Sequence, residues 1–278
     1  MNSSIPAHPL EKYFRNGIRY TTCPGCGNGI VAQSILRAID SIGDSFDRYA
    51  FVSGIGCSGW IPSPAFDTDL LHVTHGRSMP AATGLKIALP EQRVILCQGD
   101  GDMSAIGGNH FIHSCRRNVD LTVICVNNGI YGMTGGQAAP TTPYDLVTAT
   151  TPYGNIERAF DLSDLAISAG ATFVARWTTW HARQLAQSIK KAILHPGFAL
   201  VEIISQCPIQ YGKAIGKRNN AVAMMQQYKE QSVSVAVAAT LSPEELQNKI
   251  VVGELVCREG VPEFTQELAR LRKEAKER

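Results

Sequence analysis

The sequence has no excess of charge of either sign, no long apolar run and no secretory leader pattern. Its 278 residues carry 26 Lys and Arg against 24 Asp and Glu, a formal net charge of +2. This balance excludes the strongly basic field on which nucleic-acid binding depends. No apolar run approaches the roughly 18 residues of a membrane span, and residues 1–17 contain no apolar h-region. We therefore expect a cytoplasmic protein that contacts neither nucleic acid nor membrane.

The sequence does have a series of short apolar runs rich in β-branched residues, and its 44% hydrophobic content excludes disorder as the main state. The runs lack clean polar alternation, as is typical of parallel strands buried on both faces. The predicted strands are Tyr49–Ser53, Val94–Cys97, Leu121–Val126, Thr172–Ala175 and Leu200–Ser205. The predicted helices are about Gly29–Ile42, Met79–Leu89, Ile106–Arg116, Leu162–Ser168 and His181–Leu194. This alternation predicts an α/β fold with a mostly parallel, open sheet flanked by helices.

After about Gly212 the composition shifts towards charged segments with a helical pattern. Ser242 is followed by Pro243 and Glu245, which together predict a helix start with a capping box. We predict one cofactor-binding domain over residues 1–212 and a C-terminal helical arm over residues 213–278. The pattern of the arm is compatible with a solvated appendage and with a subunit contact. Its predicted helices are Met224–Lys229, Ser242–Gln247 and Glu263–Arg278.

The turn after the first predicted strand matches a dinucleotide-binding pattern in its spacing alone. The motif GIGCSG at 54–59 has the GxGxxG form. The fingerprint also needs a helix that begins at the glycines and an acidic residue about 20 positions further on. Pro62 and Pro64 disfavour a long helix, and the residue 20 positions after Gly59 is Met79. We therefore predict that this turn lets the backbone approach a ligand other than NAD.

Two other turns carry a stronger signal. The segment GDGD at 99–102 follows the strand VILC, and NNG at 127–129 follows LTVICV, with 25 residues between Gly101 and Asn127. Open α/β sheets bind ligands at the carboxyl ends of their strands. Asp100 and Asn128 would present a carboxylate and an amide oxygen to one cleft, and such ligands suit Mg²⁺, which also takes phosphate oxygens. Each turn alone is a common loop dipeptide; the pair predicts a magnesium–phosphate site.

This spacing resembles the thiamine diphosphate motif, in which GDG is followed after about 25–30 residues by NN. The resemblance implies that Asp100, Asn128 and the main-chain carbonyl of Ile130 hold the Mg²⁺ bound to the cofactor's diphosphate. It also implies that Gly101 and Asp102 approach the diphosphate. The cation would neutralise a multiply anionic group that this nearly neutral chain could not.

Four of the eight cysteines lie at predicted loop positions. Cys23 and Cys26 form a CxxC within a Pro-Gly turn, Cys57 lies in the glycine-rich turn, and Cys207 follows a strand. A lone CxxC is compatible with zinc, a redox dithiol or an ordinary loop, whereas four loop cysteines suffice for zinc or a [4Fe–4S] cluster. Position favours the cluster, because Cys57 shares the turn expected beside thiamine. The other cysteines are Cys97, Cys115 and Cys125, which we expect to be buried, and Cys257, which has no assigned role.

Six motifs occur in order between about Tyr20 and Gly212: CPGCG, GIGCSGW, THGR, GDGD, NNGIYGMTGGQ and SQCP. Together they resemble the β subunits of 2-oxoacid:ferredoxin oxidoreductases, the thiamine-binding, cluster-bearing chains of that family. In the arm, SPEELQNKIVVGEL and VPEFTQEL look most like the 2-oxoglutarate-oxidising branch. The resemblance implies oxidative decarboxylation of 2-oxoglutarate to succinyl-CoA and CO₂, with electrons passed through a [4Fe–4S] cluster to ferredoxin.

The same resemblance assigns site residues by motif. Cys23, Cys26, Cys57 and Cys207 would hold the cluster. His75 would hydrogen-bond the diphosphate, although a histidine in a turn is also compatible with a capping role. The residues implied to line thiamine are Ile55, Gly56, Cys57, Ser58, Gly132 and Met133.

One catalytic component is absent from these motifs. Thiamine enzymes use a glutamate against the aminopyrimidine ring, and no good candidate stands in the sequence, so the resemblance implies that an α subunit supplies it. The substrate's second carboxylate needs a basic partner. Trp60 follows Cys57 by three positions and carries no charge, so we expect that partner to be Arg77, Lys213 or a residue of the α subunit.

Three alternatives remain open from the sequence. The same chemistry could act on pyruvate or a branched-chain 2-oxoacid, which would change only the pocket. A non-redox thiamine enzyme would leave CPGCG and SQCP unexplained. A structural zinc-binding chain would leave the GDGD and NNG pair as coincidence.

Overall fold

The computed structural model describes residues 8–18 and 20–278. The start of the predicted domain, and part of the segment predicted to contain no secretory leader, lie in residues 1–7, outside the described residues. Within the described ranges, eight strands form one sheet. They are β1 (Tyr49–Ser53), β2 (Asp69–His72), β3 (Arg93–Gly99), β4 (Leu121–Asn127), β5 (Phe173–Thr178), β6 (Phe198–Ile204), β7 (Ser232–Ser234) and β8 (Ile250–Cys257).

The sheet is ordered β2-β1-β3-β4-β6-β5-β8-β7, and its strands are parallel except for the antiparallel pair of β5 and β8. The central strands β1, β3, β4 and β6 are buried along almost their whole length. Burial on both faces explains why their sequences are continuous apolar runs. The predicted α/β fold with a mostly parallel sheet is confirmed.

Helices cover both faces of this sheet. Helices α1 and α5 pack together on one face, where Ile35, Ile189 and the strand residue Ile124 are fully buried. Helices α2, α3 and α4 cover the other face, where Phe111 and Val123 are fully buried. The helices are α1 (Asn28–Ile42), α2 (Ser78–Ala88), α3 (Gly108–Arg117), α4 (Leu162–Ser168), α5 (Ala182–Leu194), α6 (Gln210–Ala214), α7 (Ala221–Gln231), α8 (Val235–Ala238), α9 (Pro243–Leu246) and α10 (Phe264–Glu277).

Cys97, Cys115 and Cys125 lie in the core as predicted, and all three are fully buried. Burial raises the pKa of each thiol, because the charged thiolate would lose its hydration. These cysteines therefore act as small apolar side chains rather than as ligands.

The C-terminal segment contributes to the sheet as well as to the outer layer. The predicted capping box of Ser242 and Glu245 begins α9, and α7 and α10 form where helices were predicted. Strands β2, β7 and β8 were not predicted, because each is short or lies at the less buried margin of the sheet and lacks a long apolar run. Hydrogen bonds between β5 and β8 join the predicted arm to the domain.

The topology brings the ends of β1, β3, β4 and β6 together at one edge. Ser53 on β1 is in register with Cys97 on β3, and Gly99 on β3 is in register with Val126 on β4. The loops that follow these four strands therefore meet at the carboxyl edge of the sheet, as the sequence predicted. Among the described residues, no helix is both long and apolar enough to cross a membrane.

Candidate active site

A cavity of about 310 Å³ opens at the carboxyl edge, between the loops that follow β1, β3 and β4. Every residue that the motifs assigned to the thiamine or magnesium site contributes to its wall. The cavity is lined by Ile55, Gly56, Cys57, Ser58, His75, Asp100, Gly101, Asp102, Asn128, Ile130, Gly132 and Met133, together with Gly99, Tyr131 and Thr134. The fold thus brings together residues that are up to 79 positions apart in the sequence.

Asp100 begins the loop after β3 and is almost fully buried. Its Oδ2 accepts hydrogen bonds from the main-chain N–H of Gly129, at 3.1 Å, and from the hydroxyl of Thr141. Burial raises the pKa of Asp100 to about 6, and these hydrogen bonds oppose part of that rise. A cation beside the carboxylate would favour its charged form, so the donor set suits a divalent metal.

The other two predicted magnesium ligands are also available. The side-chain oxygen of Asn128 accepts one hydrogen bond, from the main-chain N–H of Ile130 at 3.1 Å, and an amide oxygen has a second lone pair. The carbonyl oxygen of Ile130 accepts no hydrogen bond from residues 8–18 or 20–278. An oxygen without a protein donor, at the wall of a polar cavity, fits a hard cation.

Asp102 has a different role from Asp100. Its carboxylate accepts hydrogen bonds from the N–H of Gly76 at 2.7 Å and from the side-chain amide of Gln98 at 2.9 Å, and it pairs with His75 Nδ1 at 2.9 Å. It therefore anchors the THGR turn. Three contacts thus hold this carboxylate in place at the wall of the cavity.

The glycine-rich turn after β1 forms the opposite wall. It continues into a 3₁₀ turn over Cys57–Trp60 instead of an α-helix, in agreement with the rejection of a dinucleotide site. A side chain at Gly54 would clash with the Asp102 carboxylate, whereas a Cβ at Gly56 would meet only open space. Gly56 has φ +132°, a backbone conformation that side chains disfavour. The turn therefore exposes main chain to the cavity at Gly56, as close approach of a ligand requires.

A second cavity, of about 530 Å³, lies beside the first. Cys57 and Met133 line both cavities. Three of the four predicted cluster ligands, Cys23, Cys26 and Cys57, contribute to its wall, together with Trp60. The cysteine site and the predicted thiamine site therefore share a wall.

Cys207 completes the cysteine group from the side of the NNGIYGM loop. A Cβ built on Gly132 would lie 3.5 Å from the Cys207 sulfur. The pKa of Cys26 is raised to about 12, mainly by burial; a hydrogen bond from the main chain of Asn28 opposes this rise, and the nearby thiols of Cys207, Cys57 and Cys23 add to it. The four thiols are thus within electrostatic range, and only a positively charged group among them would favour four thiolates.

The spacing of these thiols bears on the metal they suit. In the part of the chain that the structure describes, no three His, Cys, Asp or Glu side chains are arranged to hold a single metal ion. One zinc ion draws its sulfur ligands in with bonds of about 2.3 Å, whereas an iron–sulfur cluster gives each cysteine its own iron. A zinc ion and a cluster therefore require different separations of the four sulfur atoms.

Two buried amide side chains connect the three segments that carry the cysteines. Asn28 Nδ2 donates to the carbonyl of Cys57 at 2.8 Å. Gln206 Nε2 donates to the carbonyl of Gly25 at 3.2 Å, and the Gly27 N–H donates to the carbonyl of Gln206 at 3.0 Å. Both amides are almost fully buried. The cysteines are therefore held by backbone contacts that leave their sulfur atoms free for ligation.

The comparisons with known proteins agree with this geometry. Residues 54–203 match the sequence model of the thiamine pyrophosphate enzyme C-terminal TPP-binding domain. The 2-oxoglutarate synthase subunit KorB of Methanocaldococcus jannaschii is 53% identical over 265 residues, 95% of this chain and 97% of that relative. The chain belongs to the family of 2-oxoglutarate synthase KorB subunits. Another KorB, from Methanothermobacter marburgensis, is 48% identical over 252 residues, 90% of this chain and 88% of its own.

The similarity to a solved structure extends over nearly all of the chain. A solved structure, described as 2-oxoglutarate:ferredoxin oxidoreductase from Magnetococcus marinus with 2-oxoglutarate, coenzyme A and succinyl-CoA bound, is 31% identical with a TM-score of 0.86. The match covers 99% of this chain and 93% of that one. The family resemblance inferred from the six motifs is confirmed, and so is the 2-oxoglutarate branch, which was inferred from two segments of the C-terminal arm. The prediction that the chain is an oxidoreductase β subunit is confirmed with it.

Some residues of this KorB-type site were missed by sequence reasoning. Tyr131 lies within the quoted motif, but nothing in its spacing predicted that its ring would pack on Gly101 or that its hydroxyl would donate to the Gly101 carbonyl at 3.3 Å. Asn28 and Gln206 flank predicted ligands, and each makes contacts distant in sequence. Thr141 lies 41 positions after Asp100 in a loop without periodicity. No sequence pattern signals such contacts.

The sequence offered no candidate for the catalytic glutamate, which would have to lie at one of these two cavities. Among the described residues that line them, none is a glutamate. The almost fully buried Glu202 is bound by Ser163 and Arg176. Arg77 and Lys213, the expected partners of the substrate carboxylate, are exposed and lie outside both groups of lining residues.

Proposed function

We propose that this chain is the cofactor-carrying half of an enzyme that converts 2-oxoglutarate and coenzyme A to succinyl-CoA and CO₂. The reaction releases one proton and two electrons per turnover, and the electrons leave singly through a [4Fe–4S] cluster to two oxidised ferredoxins. The single observation that carries the proposal is the shared wall, in which Cys57 and Met133 line both cavities. A cluster held by the four cysteines would lie next to thiamine in the neighbouring cavity.

Asp100, Asn128 and the carbonyl of Ile130 would hold the Mg²⁺ of the diphosphate. Each offers an oxygen at the cavity wall with capacity for a further ligand. The main chain of Gly101 and Asp102 would border the diphosphate. Bound thiamine diphosphate supplies the nucleophilic carbon and the electron sink for decarboxylation.

The turn over residues 55–58 would bind the cofactor from the opposite side, with Gly132 and Met133 closing the space between. His75 Nδ1 pairs with Asp102, which leaves Nε2 available to donate to a diphosphate oxygen when the ring is doubly protonated. The Asp102 carboxylate fixes the orientation of this imidazole.

Cys23, Cys26, Cys57 and Cys207 would bind the cluster, which accepts electrons one at a time. Their thiols lie within mutual electrostatic range, and Asn28 and Gln206 hold the three segments in place. Free thiols of this kind fit a reducing compartment, and the cytoplasm is where we propose that the enzyme acts.

An α subunit would complete the active site by supplying the activating glutamate and the partner of the substrate's second carboxylate. The segment 144–160 is a suitable contact surface, because Tyr153 and Ile156 are 100% and 82% exposed while the loop beneath them is ordered by hydrogen bonds of Asn155. Exposed apolar side chains on a fixed loop mark a protein interface. The C-terminal extension, residues 213–278, is a second proposed subunit contact.

The first experiment is metal analysis of the αβ complex purified without oxygen. We expect about four irons and about four acid-labile sulfides per β chain, with at most traces of zinc. One zinc per chain without sulfide would refute the redox role. The Cys23→Ser variant should lose the cluster, with Cys257→Ser as the matched control that retains it.

The second experiment measures ferredoxin reduction with a panel of 2-oxoacids. With coenzyme A, thiamine diphosphate and Mg²⁺ present, 2-oxoglutarate should give the highest kcat/KM of the panel. Faster reduction with pyruvate or a branched-chain 2-oxoacid would reassign the substrate while retaining the chemistry. Decarboxylation without ferredoxin reduction would indicate a non-redox thiamine enzyme.

A further inference from the structure

The segment Pro140–Pro143 crosses behind the predicted cation ligands and contacts them directly. The hydroxyl of Thr141 donates to Asp100 Oδ2, which also accepts from the N–H of Gly129 at 3.1 Å. Thr141 is 7% exposed and Asp100 is 2% exposed, so water does not compete freely for this contact. The hydrogen bond joins the loop after β4 to the end of β3.

These two donors distinguish the oxygens of the Asp100 carboxylate. Oδ2 is bound on two sides by donors from the loop after β4, whereas no residue outside the Asp100–Gly101 turn, among residues 8–18 and 20–278, donates a hydrogen bond to Oδ1. A carboxylate bound in this way cannot rotate without breaking both contacts. Oδ1 is therefore the oxygen that remains for a ligand in the cavity.

The position of Thr141 is itself fixed by its neighbour. The Thr142 hydroxyl donates to the carbonyl of Gly129 at 2.7 Å and accepts from the N–H of Ala139 at 2.8 Å. Asn155 Nδ2 donates to the carbonyl of Thr142 at 2.9 Å. The hydroxyl that contacts Asp100 is thus presented by a segment with a defined backbone position.

We propose that Thr141 is a positioning residue for the divalent cation: its hydroxyl orients Asp100 so that Oδ1 alone faces the metal. The inference rests on the cation site of the proposed function and adds a residue that does not itself touch the metal or the cofactor. Partners that orient metal-binding carboxylates set affinity through the geometry they impose, with typical losses of about 10–100-fold on their removal. This role requires the hydroxyl donor of Thr141. A side chain of the same size without a donor would not orient Asp100.

The test measures Mn²⁺ binding to the αβ complex by electron paramagnetic resonance, in the presence of saturating thiamine diphosphate. Thr141→Val keeps the shape of the side chain and removes the donor, and it should weaken Mn²⁺ binding about 10–100-fold. Thr141→Ser keeps the donor and should retain most of the affinity. A purely structural role would show no such rescue, because Ser leaves the larger packing defect.

Thr122→Val is the matched control. Thr122 is a buried threonine on β4 whose hydroxyl donates to the Ala192 carbonyl at 3.2 Å, and its strand position is near the opposite edge of the sheet. This variant should lose stability comparably while Mn²⁺ affinity is unchanged. Thermal unfolding of all three variants, without Mn²⁺, separates stability from binding.

Three outcomes would overturn the inference: unchanged Mn²⁺ affinity in Thr141→Val, no rescue by Thr141→Ser, or an equal loss in Thr122→Val. Failure of the proposed function looks different. If the unaltered complex with thiamine diphosphate binds no Mn²⁺, the cation site itself is refuted, and the inference is refuted with it. Iron and sulfide content of the same preparations establishes whether the cluster role survives independently.

Discussion

The two edges of the central sheet both carry buried polar side chains, and they use them in opposite ways. At the amino edge, Asn118 Oδ1 accepts from the N–H of Phe198 and the hydroxyl of Thr172, while its Nδ2 donates to the carbonyl of Pro262. Glu263 accepts from the N–H groups of Asp120, Thr265 and Gln266. These groups are satisfied by protein, and they attach the C-terminal segment to the domain.

At the carboxyl edge the polar groups are only partly satisfied. Asp100 has two donors on one oxygen, the carbonyl of Ile130 accepts no hydrogen bond from the described residues, and three of the four loop cysteines, Cys23, Cys26 and Cys57, line cavities. A buried acceptor without a partner is costly, so it persists where a ligand supplies the missing interaction. Burial alone therefore does not identify a functional polar residue; unused hydrogen-bonding or ligating capacity does.

The largest effect is expected from Asp100→Asn at the carboxyl edge. We expect the affinity for Mg²⁺ with thiamine diphosphate to fall more than about 100-fold, because even indirect partners of a metal contribute about 10–100-fold. The cation-free protein should not be destabilised, since burial already opposes the charged carboxylate. Isothermal titration and thermal unfolding check the two parts, with the exposed Asp69→Asn as control. Unchanged affinity would remove Asp100 from the cation site.

The second prediction distinguishes cluster binding from thiamine binding at the two cavities that share Cys57. We expect Cys57→Ser to lose most of its iron and sulfide, because serine replaces a thiolate ligand. Thiamine diphosphate should still bind, since Asp100 and Asn128 are unaltered. Iron analysis and cofactor titration on the αβ complex measure both, and loss of thiamine binding with iron retained would reverse the assignment.

The third effect belongs to the amino edge. Glu263→Ala removes the acceptor at the start of α10, and we expect the free energy of unfolding to fall by about 2–3 kcal/mol. Cofactor and metal affinity should be unchanged, because the residue is at the opposite edge from the cavities. Denaturant unfolding, with exposed Glu259→Ala as the control, measures the change. Weaker thiamine binding in this variant would contradict the separation of the two edges.

The smallest effect is a pH dependence at the amino edge. Burial lowers the pKa of His195, whose Nε2 lies 2.8 Å from the Thr172 hydroxyl. On acidification the unfolded chain binds the proton first, so this histidine reduces stability as the pH falls below about 6.5, its pKa in the unfolded chain. His195→Gln should flatten that dependence between pH 7 and 5. An equal slope in the two proteins would show that His195 does not contribute.

Much of the fold and of the ligand set could be predicted because both depend on local sequence. Apolar runs identify β1, β3, β4 and β6 without knowledge of the strands that pair with them. The segments GDGD and NNG lie directly at strand ends. Strands β2 and β7 could not be predicted because they are short, and β8 because it is only partly buried and interrupted by Gly253 and Glu254; all three pair at the margin of the sheet. Thr141, Asn28 and Gln206 could not be predicted either, because each acts through contacts with residues remote in sequence.

Local sequence was sufficient to predict the α/β class, the loops that carry the candidate ligands and, through six ordered motifs, the family. Apolar periodicity and turn residues are local properties, so they can be recognised in the sequence without knowledge of the fold. Only the tertiary structure decided that Cys57 and Met133 belong to two cavities at once, and which oxygen of Asp100 is free. Those facts depend on distances between loops that only the folded sheet brings together.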